Sequence, residues 1–343
     1  MLDGAAATGD KSAVASLPAI PIIDLGAEPL SALAARRPQD LALLLAAGRR
    51  HYGRLALGYA DLRSQAWLIR AATPWREEIR AVAKLAGGRG AHLLNLAHEW
   101  ACTAALSPLP AGGFLLRRTL DWPFDGLGRT LVVARRRTRE GPVLEATWPG
   151  FVGTLSVLAP GRFAIAFNQA PRQRHLLGRP GAWIASRRRI NRSRALPPAH
   201  LLRQVVETAP DFGAALAMLC QRPLCVGGLF TLAGPGPEDA AVVEREPLRF
   251  GLLRGAASVA NHWPSRPQWG VARGNDSHAR AAAMAACRPG AAPFDWVRAP
   301  VLNDQTRLAF EADPGSGYLA LQGFEREGPV TQPLELGRRP ALA

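Results

Sequence analysis

The 343-residue sequence has four cysteines, two lysines and no long apolar run. Four cysteines make no disulfide framework in a chain of this length, and no CxxC or Cys/His pair has zinc-ligand spacing. We therefore expect a reducing compartment and no metal site. Arg, Pro or Gly interrupts every apolar stretch well before the roughly 20 residues that a membrane span requires. These absences favour a globular, cytoplasmic protein without a transmembrane helix.

We also expect no secretory signal, because the first 20 residues have no basic start followed by an unbroken apolar region. We predict a disordered leader over residues 1–20. A short strand at residues 21–25 is followed by mostly helical segments as far as residue 101. Thr73 is a predicted N-cap there, with Pro74 at the first helical position. From Cys102 onward, short β-type runs separated by Pro and Gly predict an antiparallel sheet.

Helices and strands alternate in the prediction for the rest of the chain. Helices are predicted at residues 198–208, at 212–220 with Asp211 as N-cap, and at 277–287 with Asp276 as N-cap. Strands are predicted at residues 114–116, 130–134, 143–148, 152–158, 163–167, 229–233, 241–245, 250–253 and 258–260. A chain of this length can bury one large core or two modest ones.

The net charge of +15 comes almost wholly from arginine. A surface this basic attracts anionic lipid or nucleic acid without specificity. The densest run, SRRRINRSR at residues 186–194, has no aromatic residues between its arginines, which a stacking surface for bases would need. We therefore predict a solvated loop here, no specific nucleic-acid partner, and only weak association with an anionic membrane.

The stretch from Cys102 to Asp121, CTAALSPLPAGGFLLRRTLD, predicts a β-hairpin, because turn residues fill its middle at 108–113. A hairpin centred on Pro110 places Arg118 directly across from Cys102, with Asp121 just beyond. A guanidinium lowers the pKa of a neighbouring thiol, and a carboxylate can hold and orient an amine. The same three side chains also fit a buried structural thiol, one arginine of an Arg-rich chain and a turn-capping aspartate.

This stretch resembles the mature N-terminus of the acid ceramidase and N-acylethanolamine acid amidase family, within the choloylglycine hydrolase group of N-terminal nucleophile (Ntn) hydrolases. In that family a Cys-Thr pair opens the β-subunit, with an Arg and an Asp at fixed positions further on. Cys102-Thr103, Arg118 and Asp121 match that spacing. The resemblance covers roughly residues 20–290.

Further positions extend the resemblance. The Asn of the family's oxyanion site is matched by Asn261, and its downstream active-site arginine by Arg280. Asn168 stands at the first position of the family's Asn-Glu-Arg, whereas Gln169 replaces the Glu, a departure that bears on substrate contacts and on the efficiency of self-cleavage. By residue type alone, Asn261 also fits a turn residue and Arg280 a surface cation.

The resemblance implies an α+β fold, the four-layer αββα sandwich of Ntn hydrolases. Residues 21–101 would form a mostly helical α-subunit, and residues 102–343 the catalytic β-subunit. It also implies that the Cys102 thiol attacks the carbonyl of Ala101, so that the backbone breaks before Cys102 and frees its α-amine. The two fragments of the precursor would stay associated without a covalent bond. No metal or organic cofactor is implied.

The resemblance further implies a reaction. The new α-amine takes the thiol proton, the thiolate attacks a substrate amide carbonyl, and water cleaves the resulting thioester. Arg118 would stabilise the thiolate, and Asp121 would orient the amine. The Asn261 side chain and a backbone N–H near Asn168 would meet the oxyanion. Arg280 would support the site electrostatically.

The implied substrate is a fatty N-acyl amine, such as an N-acylethanolamine or a ceramide. The apolar walls of its pocket would include Trp122, Trp148 and Phe151. Two alternatives stay open. The sequence NHW at residues 261–263 also resembles acyl-CoA:penicillin-type acyltransferases, which pass an acyl group to an amine instead of water; the other alternative is an inactive, Arg-rich binding protein. His262 and His278 border the site, and we predict that both are structural or solvent-facing.

Overall fold

Two β-sheets packed face to face form the centre of the fold, and helices cover their outer faces. The computed structural model describes residues 16–71, 73–96 and 100–342. The predicted α+β fold with four αββα layers is confirmed. Most of the predicted leader, residues 1–15, lies outside the described residues.

The elements follow in chain order. The segment before residue 101 holds β1 (Ile22–Gly26), α1 (Ala32–Arg36), α2 (Pro38–Tyr52), α3 (Arg54–Ala71), α4 (Arg76–Leu85) and α5 (Ala91–Asn95). Next come β2 (Ala101–Pro108), β3 (Phe114–Asp121), β4 (Val132–Thr138), β5 (Gly141–Thr147), β6 (Ser156–Ala159), β7 (Phe163–Gln169) and α6 (Gly178–Arg192). The chain continues with α7 (Pro198–Thr208), α8 (Phe212–Gln221), β8 (Gly228–Ala233), β9 (Ala240–Arg245), β10 (Phe250–Arg254) and β11 (Ala257–Val259). It ends with α9 (Ser277–Ala286), β12 (Thr306–Asp313), β13 (Tyr318–Glu325), β14 (Gly328–Pro329) and β15 (Leu334–Leu336). Among the described helices, none has the length and apolar character needed to cross a membrane.

The first sheet has the strand order β1-β4-β5-β6-β7-β8-β9-β10, and the second has the order β11-β2-β3-β12-β13-β14, with β15 also paired to β13. β1 runs parallel to β4, and the other pairs are antiparallel. Helices α7 and α8 pack on the first sheet, and α9 packs on β2 and β11 of the second. The hairpin that carries the candidate nucleophile is therefore central in its sheet.

Side-chain alternation along β2 and β3 divides the core between the two faces of the second sheet. Leu106 and Leu116 face the first sheet, in one apolar cluster with Phe230. Leu115, one position along, lies in a second cluster with Met284 of α9. Because strand side chains alternate with a period of two, this pattern decides which residues of the hairpin point into the space between the sheets.

The predicted register of the hairpin is wrong. Arg118 pairs with Ala104 rather than with Cys102, so the hairpin is not centred on Pro110. Its loop at residues 109–113 ends in two glycines with positive φ, a conformation that glycine adopts at little cost, and these set the turn. Because the shift is by two residues, every side chain keeps its face of the sheet, and Arg118 still faces the same side as Cys102.

Two local predictions are also wrong. Thr73 does not cap a helix: α4 begins at Arg76, and Oγ1 of Thr73 instead lies 3.4 Å from Nδ1 of His200. Most of residues 186–194 belong to α6 rather than to a loop. Arginine has a high helix propensity, and Ile190 within this run is buried in an apolar cluster, so the helix has both a local and a packing reason to form.

The other predicted elements are confirmed in position. Each predicted strand overlaps one of β3 to β11, and the predicted helices coincide with α7, α8 and α9 within one residue. Asp211 and Asp276 cap α8 and α9, since their side chains accept hydrogen bonds from the N–H groups of Ala214 and Ala279. Strands β12 to β15 are not predicted by the sequence reasoning, although β12 pairs directly with β3.

The segment before Cys102 is held on the rest of the chain by buried polar contacts. Arg203 of α7 donates to both carboxylate oxygens of Glu78 in α4, at 2.7 and 3.0 Å. Nδ2 of Asn95 in α5 donates to the carbonyl of Gly150 at 2.9 Å. These contacts do not depend on the peptide bond between residues 101 and 102.

Acid is expected to destabilise the packing around His200, which is fully buried beside Trp75. Burial, with Arg203 adding to it, lowers the pKa of His200 to about 3. Below about pH 6.5 the unfolded chain takes up a proton that the folded chain refuses until about pH 3. The free energy of unfolding should therefore fall by about 1.4 kcal/mol per pH unit across this window because of this residue.

Urea unfolding at pH 7 and pH 5 measures this effect. His200→Gln should lose this part of the pH dependence, whereas His175→Gln, which alters an exposed histidine, should keep it. An unchanged pH slope in His200→Gln would contradict the assignment.

Candidate active site

Cys102 lies near the start of β2, between the two sheets, with 1% of its surface exposed. Its Sγ accepts a hydrogen bond from Nη2 of Arg118 at 2.9 Å. Arg118, itself buried, also donates to the carbonyl of Leu155 at 3.1 Å and to the hydroxyl of Ser156. The contact between thiol and guanidinium predicted from the sequence is thus present, but it runs diagonally across the hairpin.

Burial dominates the acidity of this thiol. The pKa of Cys102 is raised, first by loss of solvent and also by the charge of Asp121, while Arg118 and Arg280 oppose the rise. In this structure the thiol therefore keeps its proton at neutral pH. A nucleophile at this position needs a neighbouring base to take that proton.

Asn261 holds the backbone nitrogen of the candidate nucleophile. Its Oδ1 accepts a hydrogen bond from the N–H of Cys102 at 2.8 Å, and its Nδ2 donates to the carbonyl of Gln169 at 2.9 Å. The N–H of Asn261 in turn donates to Oγ of Ser277 at 2.7 Å. Fully buried, Asn261 is positioned between the ends of β7 and β11.

Arg280 of α9 is fully buried in the same site, which excludes a surface cation. Its Nη1 donates to the carbonyl of Cys102 at 2.8 Å and to Oγ1 of Thr103 at 2.8 Å. Its Nη2 donates to Oδ1 of Asn261 at 3.0 Å. The Arg280 guanidinium therefore contacts both Cys102, which follows the predicted cleavage point, and the Asn261 amide that holds the nitrogen of Cys102.

Asp121 ends β3 and is also buried, next to Arg280 at 3.4 Å. Its carboxylate accepts hydrogen bonds from Oγ1 of Thr306 at 3.0 Å and from Nδ2 of Asn303 at 3.2 Å. Burial raises the pKa of Asp121, opposed by Arg280 and by these two donors. Thr306 and Asn303 are missed by the sequence reasoning, because they lie more than 180 residues from Asp121 and carry no local motif.

Asn168 and Gln169 end β7 beside the same site. Nδ2 of Asn168 donates to the carbonyl of Ala260 at 3.2 Å, and its buried Oδ1 has no hydrogen-bond partner among the described residues. Nε2 of Gln169 approaches the carbonyl of Gly227 at 3.5 Å. The structure thus brings together all six predicted site residues: Cys102, Arg118, Asp121, Asn168, Asn261 and Arg280.

The two nearby histidines form their own pair. The rings of His262 and His278 stack at 3.9 Å, and Nδ1 of His262 lies 2.9 Å from Oγ of Ser277. Burial, with His278 and Arg280 adding to it, lowers the pKa of His262 to about 4. A neutral imidazole that contacts Ser277 supports a structural position, as predicted.

Aromatic rings crowd the side of the site before residue 101. Trp100 is buried and meets Trp122 at 5.3 Å, with Phe151 and Phe167 at 6.1 Å, all edge to face. A small cavity of about 40 Å³ lies against Trp122 and Phe151, with leucines of α2 on its other wall. Trp148, the third predicted wall residue, lines it as well.

This arrangement can support nucleophilic acyl chemistry. It holds a thiol against a guanidinium, a backbone nitrogen against an amide oxygen, and a carboxylate and a second guanidinium beside them. Among residues 16–71, 73–96 and 100–342, no group of three His, Cys, Asp or Glu side chains is arranged to hold a metal ion. The side chains around Cys102 can take part in proton transfer and covalent catalysis.

No known family model matches the chain. Two curated relatives do match it. An N-acylethanolamine-hydrolyzing acid amidase from Oryctolagus cuniculus is 27% identical over 183 residues, which is 52% of this chain and 46% of that protein. One from Rattus norvegicus is 25% identical over 201 residues, 57% of this chain and 51% of that protein. The resemblance predicted from the sequence is confirmed by these relatives, of whose length the chain spans about half.

Solved structures give more distant matches. A Caenorhabditis elegans N-acylethanolamine-hydrolyzing acid amidase ortholog aligns with 62% of this chain and 93% of its own, at 16% identity and a TM-score of 0.49. A penicillin V acylase from Agrobacterium tumefaciens aligns with 65% of this chain and 83% of its own, at 12% identity and a TM-score of 0.42.

Proposed function

We propose that this chain is an Ntn amidohydrolase that cuts its own backbone between Ala101 and Cys102 and then hydrolyses the amide bond of a fatty N-acyl amine. The observation that carries the proposal is the set of contacts on Cys102: Arg118 on its sulfur, Asn261 on its nitrogen and Arg280 on its carbonyl. The names of the curated relatives support the reaction class. The direct test is release of a fatty acid from an N-acylethanolamine by the purified chain.

Self-cleavage would begin at the sulfur. Sγ of Cys102 attacks the carbonyl carbon of Ala101, and the thiol proton passes to the nitrogen of Cys102. The C–N bond breaks and leaves a thioester between Ala101 and the sulfur. Water then hydrolyses the thioester, which gives a carboxylic acid at Ala101 and restores the thiol. Asn261 supports this step because it fixes the nitrogen that leaves.

The freed α-amine would supply the base that the buried thiol needs. An α-amine has an ordinary pKa of about 7.7 to 8.0, suited to proton transfer near neutral pH. It takes the proton of the Cys102 thiol, the thiolate attacks the substrate carbonyl, and the proton passes to the leaving amine. Water cleaves the acyl thioester and releases the fatty acid.

Each neighbouring side chain has a role in this proposal. Arg118 stabilises the thiolate that it already contacts. Oδ1 of Asn261 holds the new amine, and the Nδ2 hydrogen not bonded to Gln169 can meet the oxyanion together with a backbone N–H near Asn168. Arg280, linked to Asp121, orients the amine and Asn261 as one network.

The acyl chain would enter on the aromatic side of the site. Trp122, Trp148 and Phe151 already border a small apolar cavity beside Trp100, and burial of a fatty chain there would be favourable by about 0.8 kcal/mol per CH₂. Cleavage would release the constraint on Trp100, which precedes Ala101, the residue that would become the new C-terminus. This opening is the route we propose for the acyl chain.

We further propose that the fragments 21–101 and 102–343 stay together after cleavage. The Arg203–Glu78 pair supports this, because Arg203 has 3% of its side chain exposed and Glu78 has 18%. Arg203→Ala should lower the free energy of unfolding by about 3 kcal/mol, since it leaves the mostly buried Glu78 carboxylate unpaired. In the cleaved protein the fragments should then separate on size-exclusion chromatography.

The matched control is Arg80→Ala, which removes an exposed ion pair with Glu77. That change should alter the free energy of unfolding by at most about 1 kcal/mol. Equal losses of unfolding free energy in the two variants, measured by urea unfolding, would contradict a special role of Arg203 in holding the fragments together.

The sequence also makes predictions about alternative activities, membrane association and location. Acyl transfer to an amine is tested by adding an amine acceptor and looking for the transfer product, and a binding protein without activity would show no turnover at all.

Weak association with anionic membranes is supported by the arginines of α6 and by exposed Leu176 and Leu177 close before it. The cytoplasmic location stays a prediction.

A further inference from the structure

A second and much larger cavity, of about 560 Å³, lies between α6, the segment at residues 170–175 and the loop at residues 263–273. Its volume is in the range of small-molecule sites. Five of its described lining residues are arginines: Arg172, Arg174, Arg187, Arg189 and Arg273. Among the same described residues one, Glu246, has a carboxylate, and that group already contacts Arg266 at 3.3 Å. The cavity is therefore strongly cationic.

This cavity shares a wall with the candidate active site. Gln169 lines it, and the carbonyl of Gln169 accepts the hydrogen bond from Asn261. Arg273 lines it too, and the carbonyl of Arg273 accepts a hydrogen bond from Arg280 at 3.1 Å. Asn261, which holds the nitrogen of Cys102, and Arg280, which holds its carbonyl, are thus each one hydrogen bond away from the lining of this cavity.

The two cavities next to the site differ sharply in chemistry. The cavity beside Trp122 and Phe151 has apolar walls, as an acyl chain requires. The larger cavity has five arginines in its lining beside apolar residues and two tryptophans, so unlike the first cavity it can bind a group that carries negative charge. An N-acyl amine with these two parts would have its amide bond between them.

We infer that the amine part of the substrate carries a carboxylate, so that the substrate is an N-acyl amino acid whose amino-acid end binds in this cationic cavity. The inference rests on the proposed amidohydrolase function and specifies its substrate class. The reaction balances as N-acyl amino acid plus water giving fatty acid plus amino acid. The planar guanidinium fork binds a carboxylate through two parallel hydrogen bonds, which a neutral alcohol cannot reproduce.

The test compares two substrates that differ mainly in charge, N-lauroylglycine and N-lauroylethanolamine. At low salt the chain should hydrolyse the glycine conjugate with a kcat/KM at least about tenfold higher, and added salt should reduce that preference. The double variant Arg172→Gln/Arg189→Gln should lower the ratio of the two kcat/KM values by about tenfold. Arg139→Gln is the matched control, because the Arg139 side chain is 92% exposed in the β4–β5 turn, away from both cavities.

A second measurement does not depend on turnover. Calorimetry with Cys102→Ala, in which the acyl route stays closed, should detect binding of N-acetylglycine, which carries the amino-acid end alone, and this binding should weaken in the triple variant with Arg172→Gln and Arg189→Gln. Equal kcat/KM for the two substrates, or a ratio that the double variant leaves unchanged, would overturn the inference while the proposed hydrolase survives. Arginine-dependent binding without hydrolysis of either amide would support the anion site and overturn the hydrolase instead.

Discussion

Cys102→Ala is expected to yield one uncut chain that lacks amidase activity. The wild-type chain should separate under denaturing conditions into fragments 1–101 and 102–343. The methyl group of alanine cannot attack the carbonyl of Ala101, so neither the thioester nor the free α-amine can form. Activity toward N-acyl amides should fall by about 10⁴-fold or more, as when the nucleophile of a hydrolase is removed.

Intact-mass analysis and N-terminal sequencing check this expectation. The matched control is Cys287→Ala, which removes a partly exposed thiol that donates to the carbonyl of Arg288 and lies outside the candidate site, and this variant should cut and turn over normally. Fragments from Cys102→Ala, or an active wild-type protein with residues 101 and 102 still joined, would contradict both the proposed self-cleavage and the assignment of Cys102 as the nucleophile.

Asn261→Ala should have the next largest effect, a loss of about 10² to 10³ in kcat with a small change in KM. The side chain contacts the nitrogen of Cys102 and can meet the developing oxyanion, and neither interaction involves the remote parts of a substrate. Self-cleavage should slow as well, because the leaving nitrogen loses its acceptor. Time courses of fragment formation and steady-state kinetics measure the two effects separately.

The control for this variant is Asn191→Ala, at the end of α6, which should leave cleavage and kcat at the wild-type level. A loss below tenfold in Asn261→Ala, or a loss confined to KM, would contradict a role at the reacting atoms. Asn261 would then be a substrate-binding or purely structural residue.

The sequence predicted most of the helices and strands because their signals are local. Asp211 and Asp276 precede apolar helical patterns and cap them through their own side chains. Thr73 carries the same kind of signal, yet its hydroxyl contacts His200 from a distant helix. At Thr73 the tertiary contact with His200 forms instead of the helix cap, and no local sequence pattern indicates which of the two forms.

In the candidate site, the contact between Arg118 and Cys102 follows from the local hairpin, whereas the other contacts of Cys102 do not. Alternation along two adjacent strands was enough to bring Arg118 and Cys102 to one face, and the two-residue error in register did not change this. Arg280 and Asn261 were assigned by resemblance, and no spacing argument could give their contacts. They reach Cys102 only because α9 and β11 pack against β2.

By itself the sequence predicts the hairpin and the caps of α8 and α9, because strand alternation and capping are properties of neighbouring residues, whereas the αββα class and the six predicted site residues come from the family resemblance. The tertiary structure alone decided that Thr306 and Asn303 bind Asp121, that Arg280 is buried against Cys102, and that arginines from α6 and two loops line one cavity. Those contacts join segments far apart in the chain, and packing of the two sheets fixes them. Local conformational preference cannot specify such contacts, since it carries no information about which distant surface will pack against a given segment.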